Sequence, residues 1–123
     1  MTQPLAIVFY EKLMPGSQLV NRLQDLNYRV QAITDATTLL ITTQREMPML
    51  LVADLASRAD ITRVIADLKA DPATAHIPVI AFADEKATAQ LTAAQTAGAA
   101  LAVSEAALSN YLPQLLNQAL HIE

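Results

Sequence analysis

Two hydrophobic periods alternate along this chain. Leu5-Ala-Ile-Val-Phe-Tyr10 is a short, nearly continuous apolar run, the pattern of a strand buried on both faces. Pro15-Gly16-Ser17 follows, and Ser17 is placed to cap a helix. Leu19, Leu23 and Leu26 then recur at helical spacing to about residue 26. Tyr28-Arg-Val-Gln-Ala-Ile33 alternates apolar with polar and predicts a second strand. Asp35 is a cap for a helix near 36–45, which is rich in Thr and therefore a poor helix former by propensity. Met49-Leu-Leu-Val-Ala53 is a third apolar strand, ending at Asp54.

The second half repeats the scheme. Ile61, Val64, Ile65 and Leu68 lie at i, i+3, i+4 and i+7, the clearest amphipathic helix in the chain. Asp71-Pro72 ends it, because proline disfavours the helical state in the residue before it. Ile77-Pro-Val-Ile-Ala-Phe82 predicts a fourth strand, with Pro78 near its start. Asp84 is the expected cap of an Ala-rich helix over about 86–97, stopped by Gly98 in the left-handed region. Ala99-Ala-Leu-Ala-Val103 is a short fifth strand. Leu108, Leu112, Leu115, Leu116, Ala119 and Leu120 mark a final helix. Pro113 suits only a first turn, so Ser109 or Asn110 is the expected cap rather than Ser104.

Five βα units in series predict an α/β fold, with a parallel sheet and helices on both of its faces. Ligands of such sheets bind beyond the carboxyl ends of the strands. The residues expected there are Tyr10, Glu11 and Lys12, then Asp54, then Ala83 to Lys86, then Ser104 and Glu105.

Composition agrees with this picture and removes alternatives. The chain has 123 residues, enough for one domain over 1–123 with no output domain expected. It is 53% hydrophobic but only 4% aromatic, which suits a doubly covered sheet built from Val, Ile, Leu and Ala. A mean hydropathy of +0.29 argues against disorder. The absence of Cys excludes disulfide frameworks and thiolate metal sites. Two histidines, His76 and His121, are too few for a His-based metal centre. A net charge of −4 with scattered basic residues speaks against nucleic-acid binding. No apolar run approaches the roughly 18–20 residues of a membrane helix. No basic segment precedes an apolar stretch after Met1-Thr2-Gln3-Pro4, so no signal peptide is expected, and the cytoplasm is the expected location.

Chemistry-bearing motifs are sparse. With Gly16 and Gly98 as the only glycines, neither nucleotide-loop pattern is present. Pro15-Gly16-Ser17 could meet an anion at a helix start, without the Gly-Lys pattern that would specify one. His76 sits in a loop and is expected to be exposed. No nucleophile–base pair is evident, so an enzyme is not expected.

The stretches Leu50-Leu-Val-Ala-Asp54, Leu68-Lys-Ala-Asp-Pro-Ala-Thr-Ala-His-Ile-Pro-Val-Ile-Ala-Phe82 and Ala97-Gly98-Ala99 carry a family resemblance. Over essentially its whole length the chain resembles the receiver domains of two-component response regulators, the CheY-like superfamily. The resemblance implies a flavodoxin-like (βα)5 three-layer sandwich with sheet order 2-1-3-4-5. It also implies that Asp54 matches the phospho-accepting aspartate. The family's acidic pair after the first strand, which helps hold Mg²⁺, corresponds to Tyr10 and Glu11. Its Thr or Ser after the fourth strand corresponds to Ala83. Its Lys after the fifth strand corresponds to Glu105, with the charge reversed. Its loop after the aspartate corresponds to Leu55-Ala-Ser-Arg-Ala59, which departs from the family pattern.

A phosphoryl group brings close to two negative charges. Its transfer is mostly positioning and charge stabilisation, and these substitutions remove most of both. The expected function is therefore that of a degenerate, pseudo-receiver domain: a stand-alone protein–protein interaction module in bacterial signalling, independent of phosphorylation. No cofactor or metal is expected. The alternative is a phosphorylatable receiver, with Asp54 as acceptor and Glu11 and Asp54 as weak Mg²⁺ ligands. Lys12 or Lys86 would then stand in for the missing lysine. The resemblance places the contact surface on the fourth helix, fifth strand and last helix, serving a signalling partner or a homodimer. The interface candidates there are Ala87, Leu91, Ala94, Leu101, Leu108 and Tyr111, and residues 87–104 are short of charge.

Overall fold

The computed structural model describes residues 4–11, 13–56 and 60–120. Five parallel strands run through its centre: β1 (Leu5–Phe9), β2 (Arg29–Ile33), β3 (Leu50–Asp54), β4 (Val79–Ala83) and β5 (Leu101–Ser104). Their order is β2-β1-β3-β4-β5, as expected. The helices are α1 (Leu13–Asp25), α2 (Ala36–Glu46), α3 (Ile61–Ala70), α4 (Thr88–Ala97), α5 (Glu105–Asn110) and α6 (Leu112–Leu120). Among the described residues no helix is long and apolar enough to cross a membrane.

Every residue of β1, β3 and β4 is buried, because helices cover both sheet faces. Strand alternation then splits the core in two. Ile7, Phe9, Leu51, Ala53, Val79 and Ala81 pack with Leu39, Ile61, Ile65, Leu68 and Ala94, beneath α2, α3 and α4. Ala6, Val8, Leu50, Val52, Ile80 and Phe82 pack with Leu19, Leu23, Leu108, Leu112 and Leu116, beneath α1, α5 and α6. Each face receives one phenylalanine, Phe9 or Phe82, and both are fully buried. That arrangement explains the low aromatic content.

One helix start follows the sequence, at Asp35, and Asp60 supplies a cap that the sequence reading did not name. Asp35 caps α2, its Oδ1 accepting from the Thr37 amide at 2.9 Å and the Thr37 hydroxyl at 2.6 Å. Asp60 caps α3, its Oδ1 accepting from the Arg63 amide at 3.3 Å and from the Thr62 hydroxyl. The Thr-rich α2 holds because its threonines find partners. The buried Thr43 hydroxyl donates to the Leu39 carbonyl at 2.8 Å.

Both capping carboxyls are held below the usual aspartate range. For Asp35 the chief cause is the Thr37 hydroxyl, and for Asp60 it is the Thr62 hydroxyl. A carboxylate lowered in the folded state adds stability above its unfolded pKa of about 4. That contribution is lost as pH falls through the folded value. The double variant Asp35→Asn, Asp60→Asn should therefore flatten the acid limb of the stability profile. Its neutral-pH stability should change little, since Asn also caps well. Urea midpoints at about pH 7 and about pH 3 check this. An unaltered acid limb contradicts it.

Other starts differ from expectation. Helix α1 begins at Leu13, so Ser17 lies inside it and is no cap. Pro15 falls in the first turn, where the missing N–H is one of the unpaired donors anyway. Asp84 does not cap α4; its carboxylate accepts from the Lys86 amide at 2.9 Å, closing a turn upstream. The α4 N-cap is Ala87, with no side-chain hydrogen bond. The last helix is two helices. Ser104 caps α5, its hydroxyl accepting from the Ala107 amide at 3.1 Å, so neither Ser109 nor Asn110 is the cap. Tyr111 separates α5 from α6, and Pro113 sits in the first turn of α6.

Among the described residues three helix ends are left-handed: Asn27 follows α1 at φ 72°. Met47 ends α2 at φ 49°, and Gly98 ends α4 at φ 118°. Behind Gly98 runs the stem of Lys69. A Cβ at position 98 would stand 2.6 Å from Lys69 Cγ. The Lys69 ammonium donates to the Ala75 carbonyl at 3.1 Å and the Ile77 carbonyl at 2.7 Å, holding together the loop between α3 and β4. Burial lowers its pKa below the ordinary lysine value.

Candidate functional site

The carboxyl ends of the strands form the edge that the sequence singles out. Asp54 is the last residue of β3, paired in register with Phe82 of β4. It continues the Leu50, Val52 series, so alternation turns it toward the α1 and α5 side. Its side chain is buried, with the residue only 4% exposed. Oδ1 accepts from the Ala56 amide at 2.8 Å, an Asx turn that starts the chain away from the strand.

Tyr10 stands one residue beyond the Phe9–Ala53 pair, next to the Asp54 position. Its amide donates to the Ile33 carbonyl at 3.1 Å, and its half-buried ring packs onto the cluster beneath α1, α5 and α6. An apolar contact therefore occupies the position that the resemblance matched to an acid. Glu11 is exposed beside it.

Ala83 ends β4, opposite Ser104 of β5. Its methyl belongs to the other apolar cluster, with Phe9 and Ala53, and is 2% exposed. No hydroxyl is presented there. The Ser104 hydroxyl next door is already used as the α5 cap. Glu105 follows, exposed, in the first turn of α5. Asp84 and Glu85 are exposed on the adjoining loop. The accessible charges of this edge are thus mostly carboxylates, with exposed Lys86 among them. Lys12 and residues 57–59 lie outside the described residues. Among the described residues, no group of three or more His, Asp or Glu side chains gathers as a metal site.

Gln90 joins this edge without warning from the sequence. Its Nε2 donates to the Leu55 carbonyl at 3.4 Å, tying α4 to the turn after Asp54. A glutamine on a polar helix face, 35 positions from its partner, gives no sequence signal. The Arg22 guanidinium similarly reaches the Ser109 carbonyl, linking α1 to the end of α5.

The expected contact surface divides. Ala94, Leu101 and Leu108 are at most 9% exposed and belong to the core. They do not face a partner while the domain is folded, which removes these three from the six interface candidates named from the sequence. The reason is that α4 turns Ala94 inward against α3, and β5 and α5 cover the other face. Ala87 and Leu91 are half-buried, and Tyr111 is 57% exposed. The outer side of α4 carries Thr88, Ala89, Thr92, Ala93 and Thr96, exposed and uncharged. It is small and polar rather than apolar. His76 is exposed, as expected.

No family model matches the chain, and no curated protein matches it in sequence. Solved structures do match in shape. The receiver domain of the sensor histidine kinase PA1611 from Pseudomonas aeruginosa PAO1, with a magnesium ion coordinated in its active-site cleft, is 14% identical. The match covers 98% of this chain and 100% of that one, with a TM-score of 0.87. The chemotaxis response regulator CheY4 of Vibrio cholerae is 13% identical over 96% of this chain and 99% of that one, with a TM-score of 0.84. The BeF3-activated N-terminal receiver domain of Klebsiella pneumoniae RstA is 14% identical over 96% and 99%, with a TM-score of 0.83. The strand order and the superposition over nearly the whole chain agree: this chain has the receiver fold of response regulators.

Proposed function

We propose that the chain is a pseudo-receiver, a non-enzymatic interaction module of bacterial two-component signalling that acts in the cytoplasm without being phosphorylated. One observation carries this reading. At the edge where a phosphoryl group would sit, the gripping position is the buried methyl of Ala83 and the neutralising position is the exposed carboxylate of Glu105. Adding about two negative charges beside Glu105 and Glu11, with no hydroxyl at position 83, is electrostatically unfavourable. Mg²⁺ favours several hard oxygen ligands. The described residues offer the buried Asp54 and the exposed Glu11, with a packed tyrosine where a second acid would stand.

Output then runs through surface contact. The face formed by α4, β5 and α5 offers Ala87, Leu91 and Tyr111 beside an uncharged helix surface. Its partner is a signalling protein or a second copy of the chain.

The test is direct. The protein is incubated with Mg²⁺ and acetyl phosphate, then with beryllofluoride, and followed by intact mass and amide NMR. The expected result is no covalent adduct and no shifts around Asp54. An adduct that disappears in Asp54→Asn would establish the second reading, a phosphorylatable receiver with a relaxed metal site. The presence of a carboxylate at the end of β3 is the observation that favours it.

A further inference from the structure

A cleft of about 710 Å³ opens at the other end of the sheet, below the amino ends of β3, β4 and β5. We propose that this cleft binds a small carboxylate carrying a short apolar chain.

Its charge is the first reason. Lys69 and His76 line it, and none of the described residues that line it is acidic. The nearest acid on the same loop, Asp71, is engaged by the Gln44 side chain at 2.9 Å and the Ala73 amide at 2.9 Å. The carboxylates of the Asp54 edge lie at the opposite end of the strands. The Lys69 ammonium is thus a cationic group without an acidic neighbour among the described lining residues, in a chain of net charge −4.

Preorganisation is the second. An ammonium has three donors, and Lys69 uses two on the Ala75 and Ile77 carbonyls. Its stem is confined against Gly98. With two of its three donors so held, the ammonium is confined before any ligand arrives, and little side-chain entropy remains to be lost on binding. Burial disfavours the Lys69 charge, and a carboxylate would supply the missing counter-charge through a charge-assisted hydrogen bond.

The walls are the third. Met49, Pro78 and Leu120 line the cleft with backbone of the Gly98 turn. Met49 is 51% exposed, so apolar surface is available for a short chain to cover. Polar and apolar surface share the wall in comparable measure, the mixture that a carboxylate with a short apolar chain would match.

Titration of ¹⁵N-labelled protein with hexanoate, hexanol and hexylammonium tests the proposal. Hexanoate should give saturable shifts at the amides of Ala75, Ile77 and residues 98–100. Hexanol should bind at least about tenfold more weakly, and hexylammonium not at all. Lys69→Met should abolish the hexanoate shifts, and His76→Gln should weaken them while the amide spectrum stays folded. If Lys69→Met does not fold, the hexanoate-to-hexanol ratio and His76→Gln decide. Absent saturation, equal binding of hexanol, or hexanoate binding unchanged in both variants overturns the proposal. Because the readout is remote from Asp54, it fails or succeeds independently of the phosphorylation experiment.

Discussion

Gly98→Ala is expected to destabilise the domain by about 3 kcal/mol. Two causes add. At φ 118° a side chain is strained wherever its atoms go, a backbone cost of about 1–3 kcal/mol. The new methyl would also stand 2.6 Å from Lys69 Cγ. That atom is mid-stem, and the ammonium beyond it is held by two carbonyls, so the lysine cannot swing aside cheaply. Overpacking of this kind costs about 1–3 kcal/mol. Urea unfolding of Gly98→Ala, Lys69→Ala and the double variant separates the causes. The double variant should recover the steric part of the loss and keep the backbone part. A Gly98→Ala protein within about 0.5 kcal/mol of the parent would contradict both.

Ala94→Asp should be worse, at about 3–5 kcal/mol. Ala94 is fully buried in the cluster beneath α2, α3 and α4. A carboxylate there has no cation or donor waiting, and an uncompensated buried charge costs that much. Its neighbour gives the contrast. Ala93 is exposed, so Ala93→Asp should stay within about 0.5 kcal/mol of the parent. Ala93→Asp should nonetheless weaken self-association or partner binding if the outer face of α4 is the contact surface. Thermal melts together with sedimentation equilibrium read the two effects separately. A stable Ala94→Asp would show that α4 does not pack as described.

The contrast between these neighbours also shows where sequence reading stops. The strands were legible because a doubly covered sheet needs unbroken apolar runs, and Leu50 to Asp54 or Val79 to Ala83 can be little else. Helix α3 was legible because its buried Ile61, Ile65 and Leu68 contrast with Arg63, Asp67 and Lys69. Helix α4 offers no such contrast. Its Ala, Thr and Gln are tolerated inside or outside, and only packing against α3 assigns Ala94 to the core. Caps failed where two residues competed. Ser104 took α5 because its hydroxyl is next to the first turn, and Asp84 was drawn into a tighter local turn. At the candidate site, the positions of Asp54, Ala83 and Glu105 followed from strand ends and were readable. The Asp54 turn bond, the packing of Tyr10 and the Gln90 link depend on tertiary placement and were not.

The strand order has a consequence for how the chain comes off the ribosome. β1 pairs with β2 on one side and with β3 on the other. A nascent chain emerging up to residue 49 can close the first pairing, but the second edge of β1 has no partner yet. Ala6, Ile7 and Val8, fully buried in the finished domain, then line an open apolar strand with unpaired backbone. Such an edge is a template for pairing with another chain, and exposed intermediates of this kind are prone to aggregate. The interval ends when Leu50 to Asp54 docks and Met49 donates its amide to the Leu5 carbonyl at 2.8 Å. Slow translation across residues 34–49 would lengthen that interval, and fast translation there would shorten it.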